Sequence, residues 1–446
     1  MIEIKKIQNI SLIFFAYLVT RLITYFYFEI SIEEKWISIL WQHINIVYLK
    51  NNLIESLIFF HAQPPIWNLI LGLGVKIDNI LNIEIYLKIL NHFFSLLIIY
   101  SSHQIIKNLN LKKIDYFFIM VSIIICSPSI LFYENFPSYA HFTCALIFLI
   151  KLTFLKIYKK YKFKYELLIY IFSTLLILTW SAYIIYYNIF IFLLLFPLII
   201  KKKLILRSSI IFFVFFMIGI SPSLKNKILF DIFANSSWTG LNAAQATGYD
   251  RENWPLCSFK KYKLKEYNDN YKISLKNKKI LNMEILNDKS YNDLGYIFKS
   301  KICSNKSKKF LILNFFEISK QKFKRFISVH AHLSVDFAFK PKNWKEKFYI
   351  LENLNNNLFF KIIVIIFFLI NYLFYILFFK YSLMKKEKNY LDYFIIINFL
   401  MYLYLLIVTF YGSTWEHERM RYSEYSFILI SIILIIKKFR SLKVNL

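Results

Sequence analysis

The sequence predicts an all-α polytopic membrane protein with about ten transmembrane helices, one further re-entrant or juxtamembrane helix, and one large extracytoplasmic loop domain. Three observations lead to this prediction. The chain of 446 residues is 58% hydrophobic and 20% aromatic. Its apolar residues form repeated runs of roughly 17–25 residues, the length that crosses a hydrocarbon core. Clusters of lysine separate these runs, in contrast to the amphipathic periodicity of a soluble multidomain protein.

The short basic loops orient the predicted spans. These spans are residues 8–28, 84–106, 115–133, 139–157, 165–182, 184–200, 204–221, 358–379, 390–411 and 424–437. With both termini in the cytoplasm, every short lysine cluster falls on the cytoplasmic side. The first apolar run lacks a small-residue cleavage site, so we expect it to be retained. The chain then divides into three parts, namely a membrane module at 1–221 with its first outer loop at 29–83, an outer loop domain at 222–357, and a second membrane module at 358–446.

The net charge of +29 raises the question of nucleic acid. The basic residues lie mainly at the ends of apolar segments and in the long loop, and no arginine-rich helix, zinc motif or RNA-binding signature accompanies them. We therefore expect membrane lipids and anionic lipid-linked substrates as partners, and no nucleic acid.

Residues 57–72, LIFFHAQPPIWNLILG, interrupt an apolar run with His61, Gln63 and two of the eight prolines. The apolar part that follows is too short to span a membrane before a lysine and an aspartate end it. Because proline suits the first turn of a helix, the proline pair predicts a short helix over 66–81. We expect this helix to fold back over the outer face and to present His61 and Gln63 to a cavity.

Four short motifs lie in or beside the outer loops of this topology, and their order resembles that of a known family. They are HAQPP, YEN, SSWTGLN and ERMRY. In this order they resemble motifs of the C-type, polyprenyl-phosphate-dependent glycosyltransferases, in particular the bacterial branch related to protein O-mannosyltransferases and the lipid A aminoarabinose transferase. The matching positions are His61, Gln63, Pro64, Pro65, Asn68, Tyr133, Glu134, Asn135, Ser236, Ser237, Trp238, Gly240, Asn242, Glu418, Met420, Arg421 and Tyr422.

The resemblance covers about residues 10–245 and 390–437 but not the lysine-rich stretch 255–350. It implies the C-type glycosyltransferase fold and an integral-membrane enzyme of the bacterial inner or plasma membrane. Such an enzyme moves a hexose or pentose, with inversion, from a polyprenyl-phosphate donor to a glycan, lipid or protein acceptor on the extracytoplasmic face, without a cofactor. Branch members often carry an aspartate upstream of the proline pair. The nearest counterpart by spacing here is Asn45, which cannot accept a proton.

The catalytic base is therefore sought among the other acids of the first outer loop. Glycosyl transfer needs a carboxylate that accepts the proton of the acceptor nucleophile. Glu29, Glu33 and Glu34 follow the first span, and the helical face shared with Ser38 and Trp41 favours Glu33 or Glu34. A solvated acidic cluster at the membrane edge is the alternative interpretation. His61 can replace or assist a carboxylate, because its proton equilibrium lies near neutrality, or can be an interfacial histidine bonded to backbone.

Other residues are candidates for binding the donor. Arginine binds phosphate through two parallel hydrogen bonds, so Arg421, with Arg419 as second choice, is predicted to hold the donor phosphate; a self-neutralising ion-pair turn is the alternative. An ionisable group such as Glu134 at the end of a span indicates a site, or else a helix-end carboxylate that faces water. The full set of predicted binding residues is Asn45, Gln63, Glu134, Asn135, Trp238, Asn242, Glu418, Arg419, Arg421 and Tyr422.

The histidines and acids match no strong template for a zinc site, so no required metal is expected. Cys257 and Cys303 both lie in the long outer loop, where an oxidising compartment would allow a disulfide. Two further functions stay open. One is a transporter or flippase of lipid-linked glycans, against which the absence of an internal repeat argues. The other is an inactive membrane scaffold of the same fold, which Asn45 keeps open.

Overall fold

The computed structural model describes residues 2–33, 35–40, 43–78, 80–109, 111, 113–184, 186–247, 257, 292, 294–330, 340–412 and 422–444. Within these ranges most of the chain is helical, and the only β-type pairing there is an isolated bridge between Ser31 and Lys342. The helices are α1 Ile2–Leu22, α2 Lys35–Ile39, α3 Ile46–Asn51, α4 Leu53–Phe59, α5 Ile66–Lys76, α6 Ile83–Asn108, α7 Lys113–Ile119, α8 Pro128–Glu134, α9 Ala140–Lys159, α10 Phe163–Ile177, α11 Tyr186–Lys201, α12 Ile205–Phe230, α13 Thr239–Thr247, α14 Leu294–Leu313, α15 Phe315–His330, α16 Trp344–Lys347, α17 Tyr349–Asn356, α18 Leu358–Met384, α19 Tyr390–Gly412 and α20 Tyr425–Val444. Two π-helical turns, Ile23–Tyr27 and Met120–Ile125, continue α1 and α7.

Five helices of the described chain, α6, α9, α12, α18 and α19, are long and apolar enough to cross a membrane. A bent pair, Asp115–Ile125 with Pro128–Glu134, makes a sixth if it counts as one span, and its two halves meet at 45°. The other predicted spans also contain helix, although those helices are not among these six. An all-helical protein with several potential membrane spans is thus confirmed. The count of ten and the orientation stay predictions.

The proline pair begins a short helix, as predicted. The helix α5 starts directly after Pro65 and ends at Lys76, so it is shorter than the predicted 66–81. Its 11 residues cover about 16 Å, roughly half of a hydrocarbon core, because an α-helix rises about 1.5 Å per residue. Trp67, Leu71 and Val75 are buried, which fixes one face of α5 against the rest of the first outer loop and α6.

The large outer loop is built of helices that pack on one another. The helix α12 continues to Phe230, past the predicted end of its span at 221. The loop then forms α13, which packs against α14. Gly240 permits this close approach, because a Cβ atom there would collide with the backbone carbonyl of Ser300. The Gly240 N–H donates to Ser300 Oγ at 2.9 Å.

The predicted disulfide is present. Cys257 and Cys303 are bonded, with their Cα atoms 5.7 Å apart, and the bond ties residue 257 to α14. The helix α15 follows α14 directly and is amphipathic. Residues 331–339 lie outside the described residues.

The segment that precedes the second membrane module returns to the first outer loop, a contact that the sequence did not predict. The Lys342 N–H donates to the Ser31 carbonyl at 2.9 Å. The Trp36 indole N–H donates to the Lys340 carbonyl at 2.7 Å. Trp344, almost fully buried, packs edge-on against Phe132 of α8, with ring centroids 5.1 Å apart. The first outer loop is therefore closed by chain that lies more than 300 residues away in sequence.

Candidate functional site

The HAQPP and SSW motifs meet in the folded chain. The Ser237 N–H donates to the His61 carbonyl at 2.8 Å, and Ser236 Oγ donates to the Ala62 carbonyl. The His61 N–H in turn donates to Asn292 Oδ1 at 2.9 Å. Motifs separated by more than 170 residues thus form one junction.

The His61 ring is bound on both sides within this junction. Its Nε2 lies 2.8 Å from the Asn292 carbonyl oxygen and its Nδ1 lies 2.8 Å from Ser237 Oγ. Because a carbonyl can only accept, Nε2 carries the hydrogen and Nδ1 accepts from the Ser237 hydroxyl. Burial, with the nearby Lys225 charge, lowers the pKa of His61 to about 3. The neutral, fully bonded ring favours the structural interpretation of His61, that of a histidine which fixes the loop.

Gln63 differs from its neighbour. It is buried, yet its Oε1 has no hydrogen-bond partner in the described chain. The same region holds the ammonium group of Lys225, which donates to the Phe60 carbonyl. A buried amide oxygen without a hydrogen-bond partner is unusual, and the binding role of Gln63 stays a prediction.

Two asparagines of the first outer loop have structural roles. Asn45 is exposed and caps α3, since its Oδ1 accepts from the Val47 N–H at 2.9 Å. Asn68, which belongs to the HAQPP match, is buried and its Oδ1 accepts from the Ile44 N–H at 2.8 Å. Helix capping is a sufficient reason for an asparagine at position 45, and the residue faces solvent rather than a cavity.

Glu134 of the YEN motif lies in a buried ion pair that the sequence did not predict. Arg21 of α1 donates from Nε to Oε1 at 2.9 Å and from Nη2 to Oε2 at 2.7 Å, which is the two-pronged geometry of an arginine–carboxylate pair. Arg21 is 8% exposed and Glu134 is 1% exposed. The Arg21 guanidinium also donates to the Ile125 carbonyl at 2.6 Å and lies 4.3 Å from the centre of the Tyr17 ring. Glu134 therefore joins α1 to α8 and does not face water.

A chain of hydrogen bonds leads from this ion pair to Tyr422, the last residue of the ERMRY motif. Ser95 Oγ donates to Glu134 Oε2 at 2.6 Å and so accepts from His141 Nε2 at 2.8 Å. Nδ1 of His141 then accepts from the Tyr422 hydroxyl at 2.5 Å. The Tyr422 ring stacks on Tyr133, with centroids 4.2 Å apart. Tyr422 thus belongs to the structural network around Glu134, and its hydroxyl proton is donated within the protein.

A second buried ion pair lies deeper along α9. Lys151 and Glu424 are 2.6 Å apart and are 0% and 3% exposed, respectively. Tyr422 and Glu424 are both bound by residues of α9, so the start of the last helix is fixed to α9 at two points. Neither Lys151 nor Glu424 was predicted. Both are ionisable groups at or within apolar helices, which is the signal that marks such sites in a sequence.

A cavity of about 330 Å³ opens between the first outer loop and the segment 340–346. Its lining residues are Glu33, Lys35, Trp36, Lys340, Pro341, Lys342, Asn343, Trp344, Lys345 and Glu346. Glu33 pairs with Lys35, whose ammonium group lies 4.8 Å from the centre of the Trp36 ring. The cavity therefore combines a carboxylate, several ammonium groups and the half-buried Trp36 ring, whereas the Trp344 ring is almost fully buried. This set of groups suits a sugar phosphate, because ammonium groups bind phosphate and aromatic faces bind the apolar face of a sugar ring.

The remaining predicted residues divide into those with a described position and those without. Glu29 is exposed and has a left-handed backbone conformation, with φ of 52°. Asn135 is buried and donates to the Leu131 carbonyl at 2.9 Å, which ends α8. Trp238 is buried and packs near Tyr296 of α14. Asn242 is half-buried on α13. Four predicted site residues, Glu34, Glu418, Arg419 and Arg421, lie outside the described residues.

Within the described ranges, no three His, Cys, Asp or Glu side chains are grouped closely enough to hold a metal ion. Comparison with models of known protein families and with curated proteins found no match.

Proposed function

We propose that this protein is an integral-membrane glycosyltransferase that moves a sugar from a polyprenyl-phosphate donor to an acceptor on the extracytoplasmic face. The observation that carries the proposal is the cavity that Glu33 lines together with the half-buried Trp36 ring and a group of lysines. The cavity residues include the three kinds of group that the reaction needs. These are a base, cations for the leaving phosphate and an apolar surface for the sugar.

Glu33 is the proposed base. In an inverting transfer the acceptor oxygen forms a bond to the anomeric carbon while the bond from that carbon to the phosphate oxygen breaks. The acceptor proton passes to a Glu33 carboxylate oxygen, and the polyprenyl phosphate leaves as an anion. Lys35, which pairs with Glu33 in this structure, can turn to the donor phosphate and so release the carboxylate for the acceptor.

The lysines at 340, 342 and 345 are the proposed phosphate contacts, since they line the cavity opposite Glu33. Arg421, with Arg419 as second choice, stays a proposed contact to the donor phosphate on the basis of the sequence. Glu134, His61 and Tyr422 are proposed to position the elements around the cavity and not to touch the reacting atoms, because their polar atoms are bound within the protein.

The test compares two matched carboxylate variants of the purified full-length protein. Glu33→Gln keeps the shape of the side chain but cannot accept a proton, so we expect donor binding to persist and single-turnover transfer to fall by roughly 10²–10⁴-fold. Glu29→Gln, an exposed acid in the same loop, is the control and should transfer at the wild-type rate. If Glu33→Gln transfers normally, Glu33 is not the base, and Glu34→Gln then tests the neighbour that the sequence favoured equally.

A transporter of lipid-linked glycans is the second candidate function, favoured by the ion pair of Lys151 and Glu424. Transporters place ionisable groups and interrupted helices in the interior of their membrane bundles, and Lys151 is completely buried within α9. Vesicles that contain the protein separate the two functions. A transporter exposes an inner-leaflet donor lipid at the outer leaflet without a chemical change, whereas a transferase converts the outer-leaflet donor and moves no lipid.

A further inference from the structure

The joint between α14 and α15 exposes a set of large apolar side chains. Here we define the apolar elbow as residues 312–316, where the two helices meet at Asn314. Ile312 is 77% exposed, Leu313 is 72% exposed and Phe316 is 87% exposed. Adjacent large apolar side chains with this exposure are unusual on a water-facing surface and mark a site of contact.

The exposure is confined to one side of the helix pair. Ile318, two residues beyond Phe316, is buried, as are Ser307 and the disulfide-bonded Cys303 of α14. The two helices therefore have a packed inner face and a separate apolar elbow that projects outward.

Charge indicates what covers the elbow. Between residues 294 and 330 the chain has nine Lys and Arg residues against one Glu. Lys308 and Lys309 are exposed just before the elbow, and Lys320 is exposed just after it. A second copy of this chain would bring the same positive charge to the contact and is disfavoured for that reason. Apolar side chains flanked by lysines instead suit an anionic lipid surface, where the apolar groups enter the acyl region and the ammonium groups bind headgroup phosphates.

The position of the elbow in the fold agrees with this partner. The helix α15 packs against α18, which is one of the helices long and apolar enough to cross a membrane. At its first residues α18 exposes Leu358 and Phe359, which are 73% and 72% exposed. The elbow thus belongs to a helix pair that packs against a potential membrane span.

We propose that the apolar elbow is an in-plane membrane anchor, which inserts Ile312, Leu313 and Phe316 into an anionic bilayer surface and holds the outer loop domain against it. The anchor is independent of the proposed transferase chemistry. It ties α14, and through Gly240 and Ser300 also α13, to the level of the lipid headgroups.

The test uses an environment-sensitive fluorophore on the full-length protein in vesicles. The label is attached through Phe316→Cys in a background with Cys126→Ser and Cys144→Ala, so that the Cys257–Cys303 disulfide stays intact. Asn305→Cys, an exposed polar position of α14, is the matched control, and Ile312→Cys is a second elbow position in case the first variant does not fold. The vesicles are phosphatidylcholine alone or phosphatidylcholine with phosphatidylglycerol, each with or without a lipid that carries a nitroxide high on its acyl chain.

We expect nitroxide lipid to quench the label at position 316 at least about threefold more than the label at 305, and the difference to be larger with phosphatidylglycerol. Lys308→Gln with Lys309→Gln should remove the phosphatidylglycerol effect. Equal quenching at 305 and 316, or equal access of aqueous iodide to both, would overturn the proposal. Disulfide cross-linking of two chains through the Phe316→Cys position would overturn it in favour of a contact between copies.

Discussion

The buried pair of Arg21 and Glu134 gives a prediction whose magnitude follows from the structure. Glu134→Gln preserves the size of the side chain but removes the charge that compensates Arg21, which is only 8% exposed. Removing one partner of a buried ion pair commonly costs about 3–5 kcal/mol, because the other charge stays buried alone. We expect a value near 3 kcal/mol, since the amide oxygen still accepts from Arg21 and Ser95.

The assay is reversible unfolding in mixed micelles, monitored as the fraction of denaturing detergent rises. The double variant Arg21→Met with Glu134→Met leaves no uncompensated charge, and replacement of both partners by apolar residues of similar volume is often nearly neutral. We therefore expect the double variant to be more stable than either single charge removal. Lys227→Gln, which removes the exposed pair of Lys227 and Asp231, is the control and should shift the transition little.

Two results would refute this reasoning. In the first, Glu134→Gln unfolds within about 0.5 kcal/mol of wild type, which is the range of an ordinary surface substitution. In the second, the double variant loses the sum of the two single losses, so that Arg21 and Glu134 do not couple. Either result would mean that water or another group compensates these charges.

Two further predictions concern the HAQPP junction and the outer loop domain. Because the folded-state pKa of His61 is about 3 and its ordinary value is 6.5, the unfolded chain binds the extra proton, and stability should fall as pH drops from about 6.5 towards 3. His61→Gln should flatten this loss in pH-dependent unfolding, and an unchanged slope would exclude His61 as its source. Gly240→Ala should destabilise α13 by roughly 1–3 kcal/mol, because the added Cβ meets the Ser300 carbonyl, whereas Ala243→Ser on the same helix should shift thermal unfolding little.

The parts of the fold that the sequence predicted depend on local rules. A proline pair starts a helix whatever lies far away in the chain, so the start of α5 could be predicted from HAQPP alone. Apolar runs of sufficient length likewise predict potential spans. Helix ends were less predictable, as at α12, where the polar residues before Phe230 continue the helix beyond its apolar part.

The buried polar network could be predicted only in part. Arg21 and Glu134 are 113 residues apart, and a single sequence does not show which acid an arginine in an apolar run will meet. The presence of Arg21 and Lys151 inside such runs was nevertheless a readable signal, because an unpaired charge in a membrane is costly and so implies a partner. The sequence prediction stopped at Tyr422, two residues before Glu424, and therefore missed the partner of Lys151.

The hydrogen bonds of the ionisable groups distinguish the candidates for the proposed catalytic base. His61, Glu134 and Glu33 are all ionisable groups in or beside the predicted outer loops, and the sequence predicts a functional role for each. They differ in whether the protein itself provides hydrogen-bond partners for their polar atoms. For His61 and Glu134 it does, through residues more than 100 positions away in sequence. A buried group whose hydrogen bonds are all filled by the protein fixes structure and has little capacity left for a substrate. Glu33 lies on a cavity, and its ion-pair partner in the described chain is the exposed side chain of Lys35, which a ligand phosphate can draw away. Glu33 therefore stays the proposed base, whereas His61 and Glu134 join distant parts of the fold.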